Sequence, residues 1–242
     1  MNRPLFGVLL VVSLSSCALP LGMPPASNVS RFVRTSWDEE AQARRGKVAA
    51  TAAGQYLTSV GAQGGSGSSG QVFSAEAAVR LDLHRHYQLA PTVSTSMVGL
   101  DGNAVVVAGK TGSLGILHGV GFGLGFQRQA SGSSSSTSSG VVYVNFHGGL
   151  MGHLQAGPGT AFAAARYAYG TGAPFGMSTT GTPFAPSHYV LGSLGYLWRV
   201  NSTLAVSPEF GMGWMKPVPS SPNATTTDLL VFAPSVTVSA DF

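Results

Sequence analysis

From Gln71 to His84 the residues Phe73, Ala75, Ala77, Val79, Leu81 and Leu83 alternate with Ser74, Glu76, Arg80 and Asp82. A period of two puts every apolar side chain on one face of an extended strand, whereas a helix would scatter them around its axis. The same alternation returns in Phe232, Val236, Val238, Ala240 and Phe242 against Ser235, Thr237, Ser239 and Asp241. It recurs in Val120, Phe122, Leu124 and Phe126 against Gly119 to Gly125, and in Leu204, Val206, Phe210, Met212 and Trp214 against Ser207 and Glu209. These segments run about ten to fourteen residues, longer than the usual globular strand of about five or six. They match the nine to eleven or so that a tilted strand needs to cross a bilayer.

Composition removes the competing classes. Of 242 residues 44% are hydrophobic and only 9% charged, so the chain lacks the charge and polarity of a disordered segment. A single cysteine excludes a disulfide framework. The net charge is +4, but Lys and Arg are scattered and form no basic run, so nucleic acid is not an expected partner. With 33 Gly and 14 Pro the chain favours many strands joined by turns.

About ten strands are expected, at 47–61, 71–84, 87–99, 103–110, 115–127, 141–153, 159–170, 188–199, 203–214 and 229–242, with eight or twelve as alternatives. Four connections are long or Gly/Ser-rich: 61–70, 128–140, 171–187 and 216–228. They alternate with the short ones 84–87, 109–115, 154–158 and 199–202, and a short 100–102 turn breaks the pattern. Outer-membrane barrels show this asymmetry, with short periplasmic turns and long external loops. Pro91, Pro208 and Pro234 fall inside strands, where each removes a ladder donor, and bulges are expected there.

In its alternating strands, its loop asymmetry and a last strand ending in Phe242, the region 46–242 resembles bacterial outer-membrane β-barrels. The resemblance implies an all-β, single antiparallel up-and-down transmembrane β-barrel at 47–242. It implies both termini on the periplasmic side, long loops outside the cell, and outer-membrane lipid as surroundings. It also implies that Phe242, preceded by Ala240, Val238 and Val236, serves as a signal for the barrel-assembly machinery.

The N-terminus reads as an address. Arg3 precedes the apolar run Leu5 to Leu14, which has the length of a signal-peptide core and is too short to span a membrane. Leu14-Ser15-Ser16-Cys17 resembles a bacterial lipobox, which implies a signal peptide at 1–16 and a lipid on Cys17. Ordinary cleavage after Ala18 also fits the small residues at Ser16 and Ala18. Residues 17–46, with Pro20, Pro24 and Pro25, read as a lipidated periplasmic tether. Ser36-Trp37-Asp38-Glu39 has capping-box spacing, so a short helix from Trp37 to about Arg45 is expected, either as a plug or as a solvated linker.

A soluble lipocalin-like barrel binding a small apolar ligand would need outward faces rich in Lys and Glu. The alternate faces here are mostly Gly, Ser, Thr and Ala, which suit a lumen. Trp198 and Trp214, with Tyr167, Tyr169 and Phe126, fall near strand ends, as interfacial aromatic belts require. With the apolar rows outward, Glu76, Arg80, Asp82, Asn145, His147, Arg166 and Glu209 face the interior as a polar network. Arg80 and Arg166 are expected to pair with Glu76, Asp82 or Glu209, since unpaired buried charges are costly. The glycines from Gly119 to Gly125 leave room for bulky neighbours, the N-terminal segment or a thin water path. No HExxH, GxSxG, P-loop or paired-Cys motif occurs, so neither an enzyme nor a cofactor or metal is expected, with a barrel-embedded hydrolase as the alternative. His84 and His86 with Asp82 read as solvated turn residues. The expected role is structural, surface-interacting or narrow-pore, with the extracellular partner left open.

Overall fold

The computed structural model describes residues 29–33, 48–61, 71–84, 86–94, 97–128, 138–175, 186–201, 203–218 and 228–241. Cys17, the expected signal peptide at 1–16, the expected helix from Trp37 to about Arg45 and Phe242 lie outside them. Ten strands follow in chain order: β1 (Val48–Gly61), β2 (Gln71–His84), β3 (Tyr87–Ser94), β4 (Met97–Ala108), β5 (Gly112–Arg128), β6 (Ser138–Ala156), β7 (Gly159–Phe175), β8 (Ser187–Arg199), β9 (Leu204–Pro217) and β10 (Leu229–Asp241). Each pairs antiparallel with its sequence neighbours, and β1 also pairs with β10, so the sheet closes on itself. Closure removes both sheet edges and gives the strand backbones partners within the wall, the condition for crossing lipid. Among the described residues no helix is long and apolar enough to cross a membrane.

The two faces of the wall separate as the alternation requires. On β6, Phe146 is 57% exposed while its neighbour Asn145 is fully buried. On β8, Leu194 is 62% exposed and Leu191 is 1%. Val79, Leu100, Phe122, Phe210, Met212, Val236 and Val238 join the exposed set, so a wide apolar surface covers the outside. The polar row of β10, Ser235, Thr237 and Ser239, is buried inside.

Two sequence expectations are corrected. The third connection does not fall at 100–102: β3 ends at Ser94 and β4 starts at Met97, so Asp101 lies inside a strand. The Ser94 hydroxyl accepts the Met97 amide at 3.1 Å and donates to the Met97 carbonyl, which closes the reversal there and overrides the Asp-Gly turn signal. The prolines, secondly, do not make bulges. Around Pro91 the β2–β3 ladder skips from Ala78–Thr92 to Leu81–Leu89. Around Pro208 the β8–β9 ladder skips from Gly195–Glu209 to Trp198–Val206. Around Pro234 the β1–β10 ladder skips from Gln55–Ser235 to Thr58–Phe232. Each proline thus opens a gap on one side only and keeps the register, because it lacks a single donor and its ring points out of the barrel. Register shifts occur instead between Asp82 and His84 and between Val105 and Val107, both near strand ends.

One further element lies inside the barrel. Val29–Phe32 forms a turn of 3-10 helix, closed by the Val33 amide donating to the Ser30 carbonyl at 3.0 Å, and all four residues are buried. These residues belong to the stretch that the sequence assigns to a periplasmic tether. The apolar side chains Val29, Phe32 and Val33 pack on Ala90, Leu117, Met151, Phe162, Leu197 and Ala205 of the wall.

Candidate functional site in the barrel lumen

Strand parity turns Glu76, Arg80, Asp101, Arg166 and Glu209 inward, and the 3-10 turn supplies the group that gathers them. The Arg31 guanidinium donates through Nη1 to Glu76 of β2 and through Nη2 to Asp101 of β4, with β3 lying between those strands. The Arg31 side chain is 2% exposed. A planar fork held between two carboxylates is the geometry that arginine, and not lysine, can fill.

The other groups hold this pair in place. His147 Nε2 lies 3.0 Å from Asp101 Oδ1, on the oxygen that Arg31 does not use. Arg80 Nη1 donates to the Arg31 carbonyl at 3.1 Å, and Arg80 Nε lies 3.4 Å from Asp82. Asp82 accepts from Gln88 at 3.0 Å, and Gln88 accepts from Asn103 at 2.9 Å, so a polar chain runs over β2, β3 and β4. Glu209 of β9 takes the start of the turn: its two carboxylate oxygens accept the Val29 and Ser30 amides at 3.2 and 3.3 Å. The Ser30 hydroxyl donates to Thr237 at 3.0 Å. Arg166 of β7 is buried within electrostatic reach of Asp101, Glu209 and Glu76.

The sequence-assigned residues Glu76, Arg80, His147, Arg166 and Glu209 therefore face one another inside the barrel, and Asp82 sits beside Arg80 with its side chain 32% exposed. Arg80 lies beside Asp82, one of its expected partners, while Arg31, from outside the expected set, reaches Glu76, and Glu209 accepts the Val29 and Ser30 amides. Arg31 and Asp101 were not legible as site residues, because one lay in the supposed tether and the other in the supposed turn. A charge count carries the missing signal. Among the described residues the lumen face of the wall carries Arg80, Arg166 and His147 against Glu76, Asp82, Asp101 and Glu209, a balance that favours a further cation beside the buried carboxylates.

The glycine row of β5 makes the room. A Cβ at Gly119 would collide with Asp101 and His147, one at Gly121 with Asn145 and Met97, and one at Gly123 with the Tyr143 ring. Of the three uses open to that row, bulky neighbours occupy it. In the other half of the lumen Ala168, Tyr189, Leu191, Met215 and Ala233 form a second apolar cluster.

On the outside, polar rings are paired with one another. Tyr87 and His118 share a hydrogen bond of 2.9 Å, as do Tyr167 and His188 at 2.5 Å. Trp198 packs edge-on against Tyr196 at the short-turn end of the barrel, and Trp214 is exposed at the opposite end of β9. His84 Nδ1 accepts the His86 amide at 3.4 Å, and no group of three metal-ligating side chains occurs among the described residues.

No family model and no curated protein matches this chain. Solved structures do. The translocator domain of the autotransporter NalP from Neisseria meningitidis aligns at 13% identity over 81% of this chain and 88% of its own, with a TM-score of 0.51. Neisserial surface protein A aligns at 9% identity over 81% and 97%, with a TM-score of 0.44. The outer membrane protease OmpT from Escherichia coli aligns at 11% identity over 81% and 96%, with a TM-score of 0.41. The fold of this chain is that of bacterial outer-membrane β-barrel proteins.

Proposed function

We propose that this chain is an outer-membrane β-barrel whose lumen is closed by its own N-terminal segment, with a structural or surface-interaction role and no wide diffusion path. The observation that carries this reading is the pairing of an apolar outer wall with an interior occupied by Val29–Phe32 and its ion pairs. The long connections at 61–70, 128–140, 171–187 and 216–228 then face the cell exterior, and both ends of the barrel sequence start from the periplasmic side. Cys17 carries a lipid, and Phe242 is read by the assembly machinery during insertion. The alternative of a barrel-embedded hydrolase finds little support. Ser113 and His153 approach to 3.0 Å, but both are buried, at 9% and 6% exposure.

Purified protein reconstituted into planar bilayers is expected to show no large conductance steps, and epitope tags in all four long connections should be labelled on intact cells. Large steps from the wild type, or labelling of only some of the loops, would overturn the reading. Mass spectrometry of the mature N-terminus checks Cys17 separately: an unmodified chain starting at Leu19 removes the anchor.

A further inference from the structure

We infer that Glu76 and Asp101 form a guanidinium-recognition site in the lumen, which Arg31 fills in cis, and which takes a guanidinium-bearing solute when Arg31 is absent. The inference rests on the closed-lumen reading and adds a ligand class to it.

Three features make this a receptor and not a fortuitous ion pair. The two carboxylates that grip Arg31 come from β2 and β4, strands that are not neighbours, so they reach the guanidinium from two directions and address its two terminal nitrogens separately. The site is held by groups of the wall itself: His147 fixes the free oxygen of Asp101, and Gly119 leaves the space in which both side chains lie. Among the described residues that face the lumen from the wall, Arg80 and Arg166 stand against the carboxylates Glu76, Asp82, Asp101 and Glu209, with His147 beside Asp101. Both arginines project from strands, whereas Arg31 arrives on a short turn outside the wall.

The surroundings narrow the ligand further. The Phe32 ring lies 5.5 Å from the Arg31 guanidinium carbon, and the floor beneath it is apolar, built from Leu117, Met151, Phe162 and Leu197. A guanidinium followed by an aromatic or aliphatic group therefore fits, as in an arginine-containing peptide. A compact ammonium ion does not reproduce the two-pronged contact, because it is a point charge without the planar fork.

The test uses the full chain carrying Arg31→Ala, refolded in detergent. Its thermal midpoint should fall below that of the wild type, and millimolar methylguanidinium at constant ionic strength should recover most of the loss, while methylammonium should recover little. Adding Asp101→Asn to Arg31→Ala should abolish the recovery, and the wild type, already self-occupied, should not respond. If Arg31→Ala does not refold in buffer alone, the refolded yield in methylguanidinium against methylammonium is the readout, with the same expectation. Equal effects of the two cations would mean charge screening and would overturn the site. No effect of either cation on a variant that keeps its folded gel mobility would overturn it as well. Both outcomes leave the bilayer test of the closed lumen untouched, so the two readings fail separately.

Discussion

Arg31 is the residue on which the interior depends. It is 2% exposed and meets two carboxylates that are themselves nearly buried, so removing it leaves Glu76 and Asp101 without their common partner. Breaking a buried pair from one side typically costs about 3 to 5 kcal/mol, because a desolvated charge is left uncompensated. Arg31→Ala and Arg166→Ala should therefore both lower the unfolding midpoint in detergent, and Arg31→Lys should restore the first only in part. A wild-type midpoint in both alanine variants would show that the charges are solvated and the lumen loosely filled.

At the scale of single elements, the short connections carry their own sequence logic. The β6–β7 reversal is two residues, Gly157 and Pro158, with Gly157 at φ 59°. That conformation is open to glycine and strained for a residue with a Cβ. Gly157→Ala should cost about 1 kcal/mol, with no change in register because seventeen cross-strand pairs of β6 and β7 hold it. Equilibrium denaturation in detergent measures this, and an unchanged midpoint would mean that the turn relaxes freely. The proline gaps belong to the same scale. Pro91, Pro208 and Pro234 each interrupt one ladder and leave the other intact, so the wall tolerates a missing donor without shifting its alternation.

For the whole molecule the decisive property is which solvent meets the outer face. Phe146 lies near the middle of β6 and is 57% exposed, whereas Leu154 lies near its short-turn end. A lysine on the lipid face of a barrel costs about 2 to 4 kcal/mol at the bilayer midplane and about 0 to 1 kcal/mol near an interface. Phe146→Lys should thus reduce stability in lipid vesicles by several times more than Leu154→Lys. Equal and small effects would instead describe a barrel surrounded by water.

What the sequence determined by itself follows from interactions that are local along the chain. Alternation is local, so the strands expected at 71–84 and 229–242, their inward and outward faces, and the all-β class were legible without a structure. The inward position of Glu76, Arg80, Arg166 and Glu209 follows from the same parity. Asp101 was misplaced because Asp-Gly is a turn signal in isolation, and it is Arg31, 70 residues away in sequence, together with His147 that holds that carboxylate within a strand. The Val29–Phe32 turn carries no pattern of its own beyond one arginine set among Val29, Ser30 and Phe32. It is fixed by the closed wall, which gathers carboxylates from β2, β4 and β9 around a space that no single strand defines. Burying those charges demands a partner, and the fold decides which arginine can reach them.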